Sequence, residues 1–362
     1  MPKKLRGILA VLTDDFGKKS ISLTRNLLWF TIVLLNYAVA GGMDMIRKLV
    51  AGDGLALYHL WVTEGSRFGY APLSESKFRK VLLEHPDFSA EFTFVLEEDG
   101  RVCGFINGCP GTQDADIGYI SCLLLESRVD TVGNTALLVG ALENEFRKAG
   151  KKYCAVSFFN PIRLPWTIPG TDGHQHNNLP GVPVDVPLYD RLLTLGYGET
   201  SRECGLYCDL AGYTTPEWVE TKAAQMAERG YTVALYDSSC HQGLEEMVHS
   251  LGNPQWSVEI PAAGKAGLDL LVALNGNVCA GFTGPVYPEE TGRGYLSGVA
   301  VARQYERNGL GTLLFYRLLQ REKEVGAKYM SIFTGIHNRA KEIYMKAGFR
   351  IVRTFAVMRK EL

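Results

Sequence analysis

The chain has 362 residues, 38 basic against 39 acidic side chains, a formal net charge of −1 and 46% apolar residues. That is an ordinary globular composition with room for two domains, and the near-neutral balance without a basic stripe excludes a nucleic-acid partner. Eight scattered cysteines with no Cys-x-x-Cys pair exclude a zinc ribbon or thioredoxin-type motif and suit reduced cytosolic thiols.

Residues 1–44 stand apart from the rest of the chain. Positions 27–40 are apolar except for Thr31 and Asn36, and Lys18, Lys19 and Arg25 precede them. This run is shorter than the roughly 20 residues that span a bilayer. Ala38-Val39-Ala40 has the form of a signal-peptidase site. A third reading is a start codon assigned too early. Ala40-Gly41-Gly42 is encodable by GCAGGAGGN, which has the form of a bacterial ribosome-binding site, at a suitable distance from Met45. The third reading is favoured, so residues 1–44 are expected to be a non-domain extension, without stable membrane association.

From there the pattern alternates. Residues 46–52 predict a strand, and 54–65 and 77–84 predict helices. Residues 91–98, 101–109 and 117–125 predict strands, 134–149 a long helix ended near Gly150, and 153–159 another strand. Residues 160–187 are rich in proline and glycine and predict neither helix nor central strand. Trp166, Ile168 and Leu164 interrupt this stretch, as an anchored functional loop or a packed lid requires. His174 and His176 within it are candidate contacts to substrate; two histidines without a third ligand are too few for a metal. A helix follows near 188–195 and a strand at 205–210. Residues 214–230 bridge to a second series, with a helix start near Pro216. Strands are predicted at 231–236, 268–274, 278–285 and 294–301, with a helix around 243–251.

The most informative stretch runs from Gly294 to Phe349. The apolar strand Val299-Ala300-Val301 leads into a turn, Arg303 to Thr312, that opens a helix. A helix N-terminus leaves N–H groups unpaired and, with the dipole, favours a phosphate or pyrophosphate. Gly309 and Gly311 lack a Cβ and allow close approach to the backbone. Further on stand Asn338, Ala340, Tyr344, Gly348 and Phe349.

These two blocks resemble the acetyl-CoA site of the GNAT superfamily of N-acetyltransferases. The first matches Gln/Arg-x-x-Gly-x-Gly/Ala as Glu306-x-x-Gly309-x-Gly311. Glu306 departs from the pattern and adds negative charge near a pyrophosphate, which Arg303 and Arg307 offset. The second resembles the family's Asn…Ala…Tyr…Gly-Phe block. The resemblance implies that backbone groups along Val299, Ala300 and Val301 hold the pantetheine arm and polarise the thioester. It implies that amides of Arg307, Asn308, Gly309, Leu310, Gly311 and Thr312 hold the pyrophosphate. Asn338 would touch the pantetheine, and Tyr344 would protonate the departing thiolate, since a phenol with pKa near 10 keeps its proton at neutral pH.

The chain also repeats itself. A shift of 176 residues lays Gly118, Tyr119, Ser121 and Gly133 on Gly294, Tyr295, Ser297 and Gly309, and Leu137, Leu138 and Leu142 on Leu313, Leu314 and Leu318. The expected fold is therefore α/β with mixed sheets, as two tandem GNAT domains over residues 45–212 and 213–362. The first copy has Asp130-Thr131-Val132-Gly133-Asn134-Thr135 where the second has Glu306 to Gly311, and it lacks the tyrosine block. It is expected to be degenerate, with residues 160–187 as an insertion.

The expected function is transfer of acetyl from acetyl-CoA to a primary amine of a small molecule or peptide, without a metal. Non-catalytic acyl-CoA binding or regulation, and aminoacyl or other acyl transfer, are the alternatives. The base stays open among Glu259, Glu289, Glu290, Tyr295, His337 and a water chain. Candidate acceptor contacts are Trp166, His174, His176, Glu259 and Tyr295. A cytoplasmic monomer or homodimer is expected.

Overall fold

The computed structural model describes residues 45–111 and 114–362; the expectations for residues 1–44 lie outside them. The first half opens with β1 (Met45–Lys48), α1 (Gly54–Glu64) and α2 (Glu75–Phe78), the last continued by a turn of π-helix. Strands β2 (Thr93–Glu98), β3 (Arg101–Cys109) and β4 (Ile117–Leu125) form an antiparallel meander. Helix α3 (Val132–Lys148) then crosses over to β5 (Tyr153–Val156), which runs parallel to β4. Apolar side chains at helical spacing, Leu138, Leu142 and Phe146 among them, place one face of α3 in the core.

The insertion contains only short pieces, β6 (Trp166–Thr167), β7 (Gln175–His176) and β8 (Val182–Pro183). Its prolines and glycines keep it out of regular structure. Helix α4 (Pro187–Thr194) and the long β9 (Gly198–Asp209) complete the half.

The second half repeats the plan. Helix α5 (Glu217–Ala227) leads to β10 (Tyr231–Leu235), α6 (Leu244–Ser250) and α7 (Pro254–Lys265). Then come β11 (Leu271–Asn275), β12 (Val278–Gly284), β13 (Gly298–Val301), α8 (Leu310–Glu324), β14 (Tyr329–Gly335), α9 (Ala340–Lys346) and β15 (Arg350–Glu361). The periodicity missed α7, whose interior holds Pro261 and Gly264. The helix forms because Asn253 caps it, accepting from the amides of Gln255 and Trp256, and because Pro254 suits the first turn.

The strands do not divide between two closed sheets. One nine-stranded sheet runs β1-β2-β3-β4-β5-β15-β9-β14, with β8 also on β15; β10 to β13 form a separate antiparallel sheet. The last strand of the second half thus lies between β5 and β9 of the first, and β9 in turn pairs with β14. The cores follow the exchange. Ala356 and Met358 pack in the first half's core, and Cys204, Leu206, Cys208 and Leu210 in the second half's.

Candidate active site

The second half contains an opening between two parallel strands. Gly294 donates its N–H to the Tyr329 carbonyl (2.8 Å), and Arg293 bridges to Tyr329. Past that point β13 pairs with β12 and β14 with β9, and no ladder joins β13 to β14. The Ala302 amide bonds to Ala280 of β12 (2.8 Å). Alternation along an antiparallel ladder therefore turns the backbone groups of Val299 and Val301 away from β12, toward the opening. Their side chains and that of Leu296 pack on the α8 face, while Ala300 joins the cluster under α6 and α7. Ser297 and Gly298 both face α7, where Glu259 and Trp256 meet them, so the alternation skips a residue, as at a bulge.

The turn after β13 is tightly constrained and opens the α8 helix. Arg307 has φ +62° and Gly309, which precedes α8, has φ +85°. A left-handed arginine is unusual and marks a constrained loop. The amides of Leu310, Gly311 and Thr312 open a 15-residue helix and have no intrahelical acceptors. A Cβ built on Gly311 would meet only Val301 within 4 Å, so the space above it is open. Lys222, on α5, brings its Nζ to 2.7 Å from where a Gly309 Cβ would stand. Arg229 donates to Asn308 Oδ1 (2.5 Å). Nothing in the sequence marked Lys222 or Arg229, because α5 lies far back in the chain.

Tyr344 lies on α9, half-buried against Phe315 (4.6 Å between centroids) and Phe349. Burial pushes its phenol above the ordinary range. Asn338 uses its side chain within the protein, donating to Thr334 Oγ1 (2.8 Å) and accepting from the Ala340 amide (3.0 Å) at the start of α9.

Across the opening, Glu259 of α7 accepts from the Tyr295 hydroxyl (2.6 Å) and from Ser297 Oγ (2.8 Å). Burial and the carboxylate raise the Tyr295 phenol, which stays protonated. Tyr295 stacks on Tyr287 at 4.7 Å. The other acidic candidates are placed differently. Glu289 is gripped at both oxygens by buried Arg293 and also accepts from Asn177, Glu290 pairs with Lys77 at the surface, and His337 is exposed.

The insertion reaches this half. His174 stacks on Tyr329 at 3.9 Å, and its Nδ1 is 3.0 Å from the Tyr207 hydroxyl. His176 is buried against Trp166 and Phe333, and burial holds its pKa well below the usual value, so the ring is neutral. Trp166 is fully buried against Phe355, its indole N–H bonded to the Asn178 carbonyl. A cleft of 560 Å³ lies between the halves, lined by Arg163, Gln175 and Asn177 from the insertion, Lys77 from α2, and Tyr287 and Glu289. Among the described residues no group of three or more His, Cys, Asp or Glu side chains is arranged to hold a metal, and no helix is long and apolar enough to cross a membrane.

The corresponding place in the first half is filled. Strands β4 and β5 also diverge, but Asn160 bonds into the gap at Ser121 Oγ (3.0 Å), and Ile162, Leu164 and Val182 pack there, leaving a 40 Å³ cavity. Arg191 of α4 and Arg67 clamp Asp130, and Arg191 also reaches Thr135. The Thr131 hydroxyl takes the Asn134 amide (3.1 Å), so the helix caps itself. The Tyr197 amide bonds to Leu192 O as the Phe349 amide bonds to Tyr344 O. Leu192 therefore stands where the second half has its tyrosine.

Comparisons with known proteins agree with this architecture. Residues 238–349 match the family model "Acetyltransferase (GNAT) family". A GCN5-related N-acetyltransferase from Sphaerobacter thermophilus has a similar fold, with TM-score 0.60 and 14% identity over 88% of this chain and 95% of that one. A tandem GNAT protein from the clavulanic acid biosynthesis pathway gives TM-score 0.55 and 14% identity over 88% and 98%. A glucosamine N-acetyltransferase region of a fungal multi-domain GH3 β-N-acetylglucosaminidase gives TM-score 0.66 and 16% identity over 89% of this chain and 38% of that one. No functionally curated protein matches the sequence. The fold is that of tandem GNAT proteins. The second half carries a domain that matches the GNAT acetyltransferase family over residues 238–349.

Proposed function

We propose that the protein transfers an acetyl group from acetyl-CoA to a primary amine, using the second half alone. The observation that carries this reading is the open divergence of β13 and β14, with an uncapped helix N-terminus at one end and a carboxylate at the other. The residues fit the donor. Amides of Leu310 to Thr312, with Lys222, Arg303 and Arg307, offer hydrogen bonds and positive charge to the pyrophosphate. Val299 and Val301 offer backbone groups to the pantetheine arm and the thioester oxygen.

Glu259 is the best-placed base. It takes a proton from the acceptor ammonium, and the freed nitrogen attacks the thioester carbon. Tyr344 gives its proton to the thiolate as the C–S bond breaks. The nitrogen loses its second proton, Tyr344 is reprotonated from solvent, and one proton is released overall. The first half contributes no donor site in this reading, because its groove is plugged and Leu192 has no proton to give.

Calorimetry with CoA tests the asymmetry. One CoA should bind per chain, Gly311→Glu should abolish binding, and Thr135→Glu should leave it nearly intact. In steady-state assays Tyr344→Phe should lower kcat more than it raises KM for acetyl-CoA. Two equal sites, or loss of binding with the Thr135 change, would refute the proposal.

A further inference from the structure

The cleft between the halves has an unbalanced charge. Of its acidic side chains, Glu289 is held by Arg293 and Asn177, and Glu290 by Lys77. Arg163, which also lines the cleft, makes no hydrogen bond or ion pair among the described residues. Its guanidinium is exposed, yet its neighbours Ile162 and Leu164 are each only 3% exposed. The backbone is thus anchored while the charge projects. Tyr287 lines the same cleft and stacks on Tyr295, which donates to Glu259. Tyr287 thus belongs both to the cleft that holds the cation and to the ring stack that leads to the carboxylate.

Resting on the acetyltransferase reading, we infer that the acceptor amine carries a negatively charged group, a carboxylate or a phosphate, held by Arg163 in the cleft between the halves. The ammonium end meets Glu259 and the anionic end meets the guanidinium, whose planar fork suits either oxyanion. The remaining charges are already committed, so a neutral amine leaves Arg163 without a partner. His176 does not compete, because it is buried and uncharged. The arginine also acts electrostatically on the Tyr295 phenol, which agrees with its place beside the reacting end. On this view the insertion of the first half supplies a specificity determinant to the second.

The test uses the full chain, acetyl-CoA and matched acceptor pairs, with thiol release as the readout. One pair is an α-amino acid and its decarboxylated amine; another is an amino sugar and its phosphate ester. The wild type should prefer the anionic member of at least one pair, and which pair responds separates carboxylate from phosphate. Arg163→Glu should cut that preference ratio by about 10- to 100-fold, the size of a lost charge-assisted hydrogen bond, mainly through acceptor KM. Arg163→Lys should keep part of it. Turnover of both members without preference, or a ratio that Arg163→Glu does not move, overturns the inference and leaves acetyl transfer standing. No turnover of any member overturns both.

Discussion

Glu322 occupies the place in the second half that Phe146 holds in the first. In the first half Phe146 packs over Gly118; in the second, Glu322 lies over Gly294. The carboxyl is fully buried, and neither oxygen has a hydrogen bond of acceptable geometry. Burial pushes its pKa up to about 9, against the opposing pull of Arg293 and the Tyr287 amide. A raised carboxyl pKa means that the folded state keeps a proton the unfolded chain releases. Stability is therefore full below the ordinary glutamate range and falls as pH rises toward 9. Glu322→Gln removes that loss. The variant should melt at a higher temperature than the wild type near pH 8, and the difference should vanish near pH 4 in scanning calorimetry. An equal difference at both values would mean that Glu322 is ionised in the fold.

At the scale of elements, the insertion does two jobs with one run of residues. Asn160, Ile162 and Leu164 close the groove of their own half, while Trp166, Ile168 and His174 pack on Tyr207, Tyr329 and Phe355 across the exchanged strands. Replacing both His174 and His176 by alanine removes two ring stacks and two hydrogen bonds, a loss of about 2–6 kcal/mol. Thermal stability should fall. If the insertion also shapes the cleft, acceptor KM should rise or kcat fall, with acetyl-CoA affinity kept. Lower stability with unchanged acceptor kinetics would confine the insertion to packing.

Over the whole molecule, the exchange of β9 and β15 ties the halves together. Cutting between residues 212 and 213 would leave β5 and β9 without the strand between them, and β14 without β9. Exposed long edges and a truncated core favour aggregation. Residues 45–212 and 213–362 expressed separately should each be insoluble or lack a cooperative melt, whereas residues 45–362 should unfold in one transition. Two soluble, separately folding fragments would show that each half closes its own sheet.

Local signals carried much of this protein. Alternation and helical spacing located most strands and helices, because those periods depend on which side of one element is buried. The positive-φ glycine at Gly309 and the helix start after it were legible because a tight turn of this kind needs glycine at a set place along the chain. The repeat was legible for the same reason, since equivalent turns demand equivalent residues. Helix α7 escaped because Pro261 reads as a breaker until its cap and packing are seen. The crossing of β15 into the first half's sheet left no sequence mark, since a buried strand pairs as well with either neighbour. Nor could the chain alone tell that Lys222 lies over Gly309, that Glu259 bonds to Tyr295 and Ser297, or that Arg163, without an ion-pair partner among the described residues, lines the cleft. Those facts join residues far apart in sequence, and only the tertiary fold decides which of many similar side chains meet.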